Sequence, residues 1–133
     1  MTDDEVDYAF QLAKAAGARY ITCEPPRSEA KRIGAVAEKH KLMVGYHGHA
    51  NVTGAEAFGG PDSWEQVMAW SKYNGANIDI GHFIAGNGFS PAAFLKKHHG
   101  RITNIHLKDR RKNNGPNMPW GEGDTPDREK PHL

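Results

Sequence analysis

The sequence predicts an α/β fold built on a parallel sheet, about four βα units of a partial (β/α)8 TIM barrel. Three observations carry this. Stretches with helical periodicity alternate with short apolar runs of strand length, the pattern of parallel strands joined by right-handed crossovers. His47, Asp79 and His106 are separated by 32 and 27 residues, close to one barrel unit of roughly 30 residues. Polar residues fall repeatedly where strands end: Glu24, His47, His49, Asp79, His82, His106 and Lys108. A doubly wound open sheet is the rival, but it calls for a Gly-rich phosphate-binding turn after the first strand, where this chain has Glu24-Pro25-Pro26.

Asp3 and Asp4 are expected to cap a first helix to about Ala16, with Val6, Phe10, Leu12 and Ala13 on its apolar face and Gly17 ending it. Ala18 to Cys23 reads as the first strand, stopped by Glu24 and two prolines. Ser28 starts a second helix running to about His40, with Ile33, Val36 and Ala37 at helical spacing. Leu42 to His47 is the second strand, extended by Gly48 and His49. Ala50 to Pro61 is rich in small residues and reads as an active-site loop. A third helix spans Asp62 to about Tyr73, with Trp64 and Trp70 in the core. Ala76 to Ile80 is the third strand, placing Ile78 and Ile80 on one face and Asn77 and Asp79 on the other. A Gly-rich loop from Gly81 to Phe89 follows, then Ser90-Pro91 starting a helix to about His98. Ile102 to Leu107 is the fourth strand, and Thr125-Pro126 reads as another helix start. The barrel domain is expected over 1–126, with 127–133 an atypical truncated tail.

Lys and Arg total 17 against 16 for Asp and Glu, so no large field invites nucleic acid. The run Lys108-Asp109-Arg110-Arg111-Lys112 reads as a solvated loop. No apolar run has transmembrane length, so no membrane partner is expected, and the first five residues are unlike a secretory signal. The single cysteine, Cys23, cannot form an internal disulfide, which suits a reducing, cytoplasmic compartment. Of the eight histidines, His40, His98, His99 and His132 fall at helix ends or in the tail and read as solvated. The other four cluster at strand ends.

On a strand His47 and His49 share a face with Gly45, and His106 shares one with Asn104 and Lys108. Imidazoles converging with a carboxylate suit Zn, Mn, Fe or Co with a position open to substrate. Lys108-Asp109 reads either as a substrate-orienting pair or as a loop-start ion pair. Glu24 reads either as a general base or as a strand-end acid facing water. Gly121-Glu122-Gly123-Asp124-Thr125-Pro126 reads either as an anion site at a helix N-terminus or, because its own two acids argue against a phosphate there, as a hinge or lid. Trp120, in the same loop, is the aromatic expected to cover a substrate.

Gly45-Tyr46-His47-Gly48-His49, Asp79-Ile80-Gly81-His82, Ile105-His106-Leu107-Lys108-Asp109 and Gly121-Glu122-Gly123-Asp124-Thr125-Pro126 resemble the sugar phosphate isomerase/epimerase family. This is part of the xylose-isomerase-like TIM-barrel superfamily, which also includes inosose dehydratases and apurinic-site endonucleases. The resemblance runs from Val6 to Pro126. It implies a divalent metal ion (Mn, Zn, Mg or Co) held on the last four barrel strands, with Asp79 and His106 as ligands on the sixth and seventh. His82 resembles the neighbouring substrate or second-metal histidine. On the fifth strand a glutamate is usual, and His47 or His49 stands in its place. His47 is the third ligand under this reading, while His49, His82 and Lys108 do the catalytic work and Glu24 and Trp120 bind substrate.

The implied activity is isomerisation or epimerisation of a sugar, sugar phosphate or polyol by proton transfer through a metal-stabilised enediolate. An inosose-type dehydratase is the alternative, as is an inactive half-barrel. An endonuclease would want a basic groove. The resemblance also implies that the chain begins before the fourth barrel strand and stops before the eighth, whose glutamate ligand is absent. Four strands alone leave two unpaired edges, which the rest of a larger protein or another copy in a homo-oligomer would cover.

Overall fold

A computed structural model describes residues 1–125; Pro126, the tail 127–133 with His132, and any helix from Thr125-Pro126 onward lie outside the described residues. Four strands, β1 (Tyr20–Cys23), β2 (Met43–His47), β3 (Asn74–Asp79) and β4 (Ile102–His106), form one sheet in sequence order. Every neighbouring pair is parallel. Sequential order without reversal is the topology of half a (β/α)8 barrel. The helices are α1 (Asp3–Ala15), α2 (Ala30–His40), α3 (Pro61–Trp70), α4 (Ile80–Asn87) and α5 (Ala92–Lys97). Among the described residues, no helix is long and apolar enough to cross a membrane.

Thr2, not Asp3 or Asp4, caps α1: its hydroxyl accepts from the Glu5 amide at 3.2 Å, and the Glu5 carboxylate accepts from the Thr2 amide at 2.6 Å. The two aspartates sit in the first turn, where the helix dipole favours acids. Val6 and Phe10 are buried as expected, whereas Leu12 is 57% exposed. His40 stacks on Phe10 and bonds Asp7 at 2.7 Å, and His98 bonds Glu65 at 2.8 Å. Both are part-buried links between elements rather than solvated ends.

Alternation along β2 and β3 sends Val44, Tyr46, Ala76 and Ile78 outward, all fully buried beneath the helices. They pack with Phe58, Trp64, Val67, Phe83 and Phe94 in one core. Each large apolar side chain removed from water there contributes roughly 1.5–3 kcal/mol. Trp64 is held in register by its indole N–H, which donates to the Tyr46 carbonyl at 2.8 Å. At the N-terminal end of β3, buried Asn74 joins three elements. Its amide donates to Ala30 O at 3.1 Å and Val67 O at 2.8 Å, and its oxygen accepts from the Tyr46 hydroxyl at 3.1 Å. Arg101 closes this end by donating to Asn74 O at 2.8 Å and Ser71 O at 2.7 Å.

On the inner face the sheet curls tightly. Gly45 pairs in register with Gly75, and a Cβ at Gly45 would lie 1.9 Å from the Thr103 hydroxyl of β4. Only the absence of side chains on these glycines lets β4 reach over β3 toward β2.

Two segments differ from the sequence reading. Ile80 does not continue β3, and residues 81–89 are not simply a loop: α4 begins at Ile80, capped by the Asp79 carboxylate accepting from the His82 amide at 2.9 Å. Gly81 and Gly86 serve close approach within it, because added Cβ atoms would lie 2.8 Å from Lys108 O and 2.5 Å from Ala50 O. The polar stretch after β4 contains an antiparallel pair, β5 (Asp109–Arg110) with β6 (Asn117–Met118).

Candidate functional site

The C-terminal ends of β2, β3 and β4 bring His47, Asp79 and His106 together, each offering one donor atom within 4.8 Å of the others. The alternation that sends Tyr46 and Ile78 into the core leaves His47 and Asp79 on the inner face, and the register Asp79↔His106 adds the third group. His47, His49 and His82 form a second such group. A cavity of about 440 Å³ opens beside them, lined among others by Glu24, His47, His49, Asn51 and Phe58. The loop after β2 is held over it by the Ser28 amide donating to the Glu56 carboxylate at 2.8 Å and the His49 amide to Phe58 O at 2.9 Å.

Asp79 is the electrostatic centre. Its side chain is 1% exposed. Oδ1 accepts from the His82 amide, and Oδ2 lies 2.9 Å from the Lys108 ammonium. That second contact is an ion pair without hydrogen-bond geometry, so Oδ2 stays unsatisfied in the directional sense. Burial alone would raise the Asp79 pKa; Lys108 and the His82 amide outweigh it and hold the carboxyl below its ordinary range. Lys108 therefore pairs with Asp79 and not with its neighbour Asp109, correcting both sequence readings of Lys108-Asp109.

His82 sits between two cations. Arg110 lies 2.6 Å from Nδ1 and Lys108 3.2 Å from Nε2. Guanidinium and ammonium groups only donate, so both ring nitrogens face donors, and Nε2 also lies 3.6 Å from Asp79 Oδ2. Burial, with Lys108, His49 and Arg110 adding to it against Asp79, lowers the His82 pKa to about 4. The ring is thus neutral. His47 is also pushed below its usual value, chiefly by burial. Glu24 Oε2 lies 3.2 Å from His49 Nε2 and its Oε1 3.9 Å from His47. Trp120 is 56% exposed and does not line the cavity.

Residues 121–125 do bind an anion, but the anion is Asp109. Its buried carboxylate accepts from the amides of Gly121 and Gly123 at 2.9 Å each and of Thr125 at 3.1 Å. Burial would raise its pKa, and these amides overcome that and lower it. Arg110, anchored by donating to Gly115 O at 3.0 Å and 2.7 Å, escaped the sequence reading because it sat in a run read as solvated. The signal was available: 106, 108 and 110 share one face of an extended strand.

The site suits a divalent cation. His47 Nδ1 and Asn77 Oδ1 are buried without a hydrogen-bond partner among the described residues, and such groups are costly unless a ligand satisfies them. Two imidazoles with one carboxylate are a donor set for Zn, Mn, Fe or Co.

No protein-family model matches the sequence, and no curated protein matches it. Among solved structures, the chain is similar to a xylose isomerase domain protein from Planctomyces limnophilus, with 17% identity over 93% of this chain and 50% of that one, at a TM-score of 0.67. It is similar to an IolI protein with a binding zinc atom, with 16% identity over 92% of this chain and 51% of that one, at a TM-score of 0.69. A D-tagatose 3-epimerase-like protein matches at 23% identity over 93% of this chain and 52% of that one, at a TM-score of 0.63. The chain spans about half the length of these solved chains. Fold and comparisons define a class, the half-barrel of parallel βα units. More narrowly, the fold is that of half a (β/α)8 TIM barrel.

Proposed function

We propose that this chain forms the metal-binding half of a sugar or sugar phosphate isomerase or epimerase. The observation that carries the reading is the convergence of His47, Asp79 and His106 donors within 4.8 Å at the ends of successive strands. These three residues would hold a divalent metal ion of the Mn, Zn, Mg or Co type; bound there, it would polarise carbonyl and hydroxyl oxygens of a sugar.

The chain's own groups supply the rest. The neutral His82 ring, braced by Arg110, hydrogen-bonds a substrate oxygen. Lys108 offers positive charge where negative charge develops. His49, paired with Glu24 at 3.2 Å beside the cavity, is placed to move a proton between neighbouring carbons, with Glu24 orienting it. The open edges of β1 and β4 are covered by further barrel strands or by another copy of the chain, and Cys23, whose thiol burial pushes up to about 12, is kept reduced in the cytoplasm.

An inosose-type dehydratase would use the same groups, with the Lys108 ammonium protonating the leaving hydroxyl. The first test is metal stoichiometry by elemental analysis after dialysis against Mn, Zn or Mg. One retained ion, lost in Asp79→Ala and His106→Ala, is expected; retention in both variants would place the ion elsewhere and sink the reading. Epimerisation and dehydration of candidate polyols, assayed in parallel, separate the two chemistries.

A further inference from the structure

Lys108 lies against the oxygen of the buried Asp79 carboxylate that accepts no hydrogen bond. Asp79 Oδ1 is committed to the His82 amide at 2.9 Å, so Oδ2 is what remains for a metal, and the Lys108 ammonium lies 2.9 Å from it. The lysine's root is fixed, because a Cβ added to Gly81 would lie 3.0 Å from both its Cβ and its Cγ. Its side chain is 32% exposed, so the far end has a path into solvent. The other cation at the site, Arg110, is tied to Gly115 O and lies against His82 Nδ1, away from this oxygen. Glu24, the remaining carboxylate beside these histidines, faces His47 and His49.

We propose that Lys108 is an internal counter-ion for Asp79, which a divalent metal displaces. This rests on the metal reading above. An ammonium and a dication cannot share Oδ2 without strong like-charge repulsion. Binding the ion therefore breaks the Lys108–Asp79 pair and releases the ammonium toward the cavity. Two consequences follow. The lysine weakens metal binding, and substrate meets a free ammonium only after the metal is in place, which orders the two events.

The test is isothermal titration of the whole chain with Mn²⁺ alone and Zn²⁺ alone, comparing wild type with Lys108→Met and Lys108→Arg. Lys108→Met should bind at least about tenfold tighter, since a repelling charge is removed, while Lys108→Arg should stay within about threefold of wild type. Thermal melting gives a second readout. Without added metal, Lys108→Met should melt below wild type, because Asp79 is left as a buried unpaired charge; saturating Mn²⁺ should close or reverse that gap. A lysine serving only structure would lower the melting temperature in both conditions and leave affinity unchanged. If wild type binds one ion and Lys108→Met binds it no more tightly, the counter-ion proposal is overturned and the metal site stands. If neither protein retains an ion at millimolar concentration, the metal reading fails and this proposal falls with it.

Discussion

Replacing Asp109 with alanine should unfasten residues 121–125 from β5. The buried carboxylate accepts three backbone amides, those of Gly121, Gly123 and Thr125. Bonds to a charged acceptor are worth roughly 1.5–3 kcal/mol each in net stability. Gly121 lies at the surface and its amide can turn to water, whereas Gly123 and Thr125 are buried, so the full sum is not lost. About 3–5 kcal/mol is expected, or a melting temperature lower by on the order of 10 °C if the loop unfolds with the domain. Amide exchange separates a local from a global effect: Gly121, Gly123 and Thr125 should lose protection first. Asp109→Asn should fall between, since its NH2 group faces at least one donor. The pH dependence has a definite sign. With the folded pKa below the unfolded one, the unfolded chain binds more protons in the window between them. The contribution is fully present above the ordinary aspartate pKa and is lost as pH falls through the lowered one. A melting temperature within about 2 °C of wild type, together with unchanged exchange at all three amides, would refute this account.

Trp64→Ala should cost about 3–5 kcal/mol, read by chemical denaturation, because a side chain 1% exposed is removed and the Tyr46 carbonyl loses its donor. Trp64→Phe should recover most of that stability. Gly45→Ala should destabilise by about 1–3 kcal/mol through the clash with Thr103, and adding Thr103→Ala should restore part of it; full tolerance of the single change would mean that the inner face is looser than described.

Much of the architecture was legible because alternation and spacing are local. Ile78 outward and Asp79 inward follow from strand geometry alone, and the strand-end histidines follow from the unit length. α4 was missed because Gly81 and Gly86 each weaken a helix interior by roughly 1 kcal/mol. Burial of Phe83 and Ile84 outweighs that, and Gly81 and Gly86 are needed where other backbone crosses. Lys108, between β4 and β5, and Asp109, at the start of β5, do not meet as a pair. Each found a partner far away in sequence, at Asp79 and at 121–125. His40 and His98 were opaque for the same reason: each bonds a carboxylate 33 residues earlier, and no local pattern announces such a partner.

The six residues of β3 hold two different duties about 17 Å apart, by the rise of an extended strand. At the lower end Asn74 and Arg101 knot strands and helices together; at the upper end Asp79 meets Lys108 and the histidines. Changes separated by that distance combine independently when they share no partners. The half-barrel is therefore evolvable in a particular way. Exposed positions at the upper end can change without loosening the lower knot, and the knot can be tightened without disturbing the groups above it.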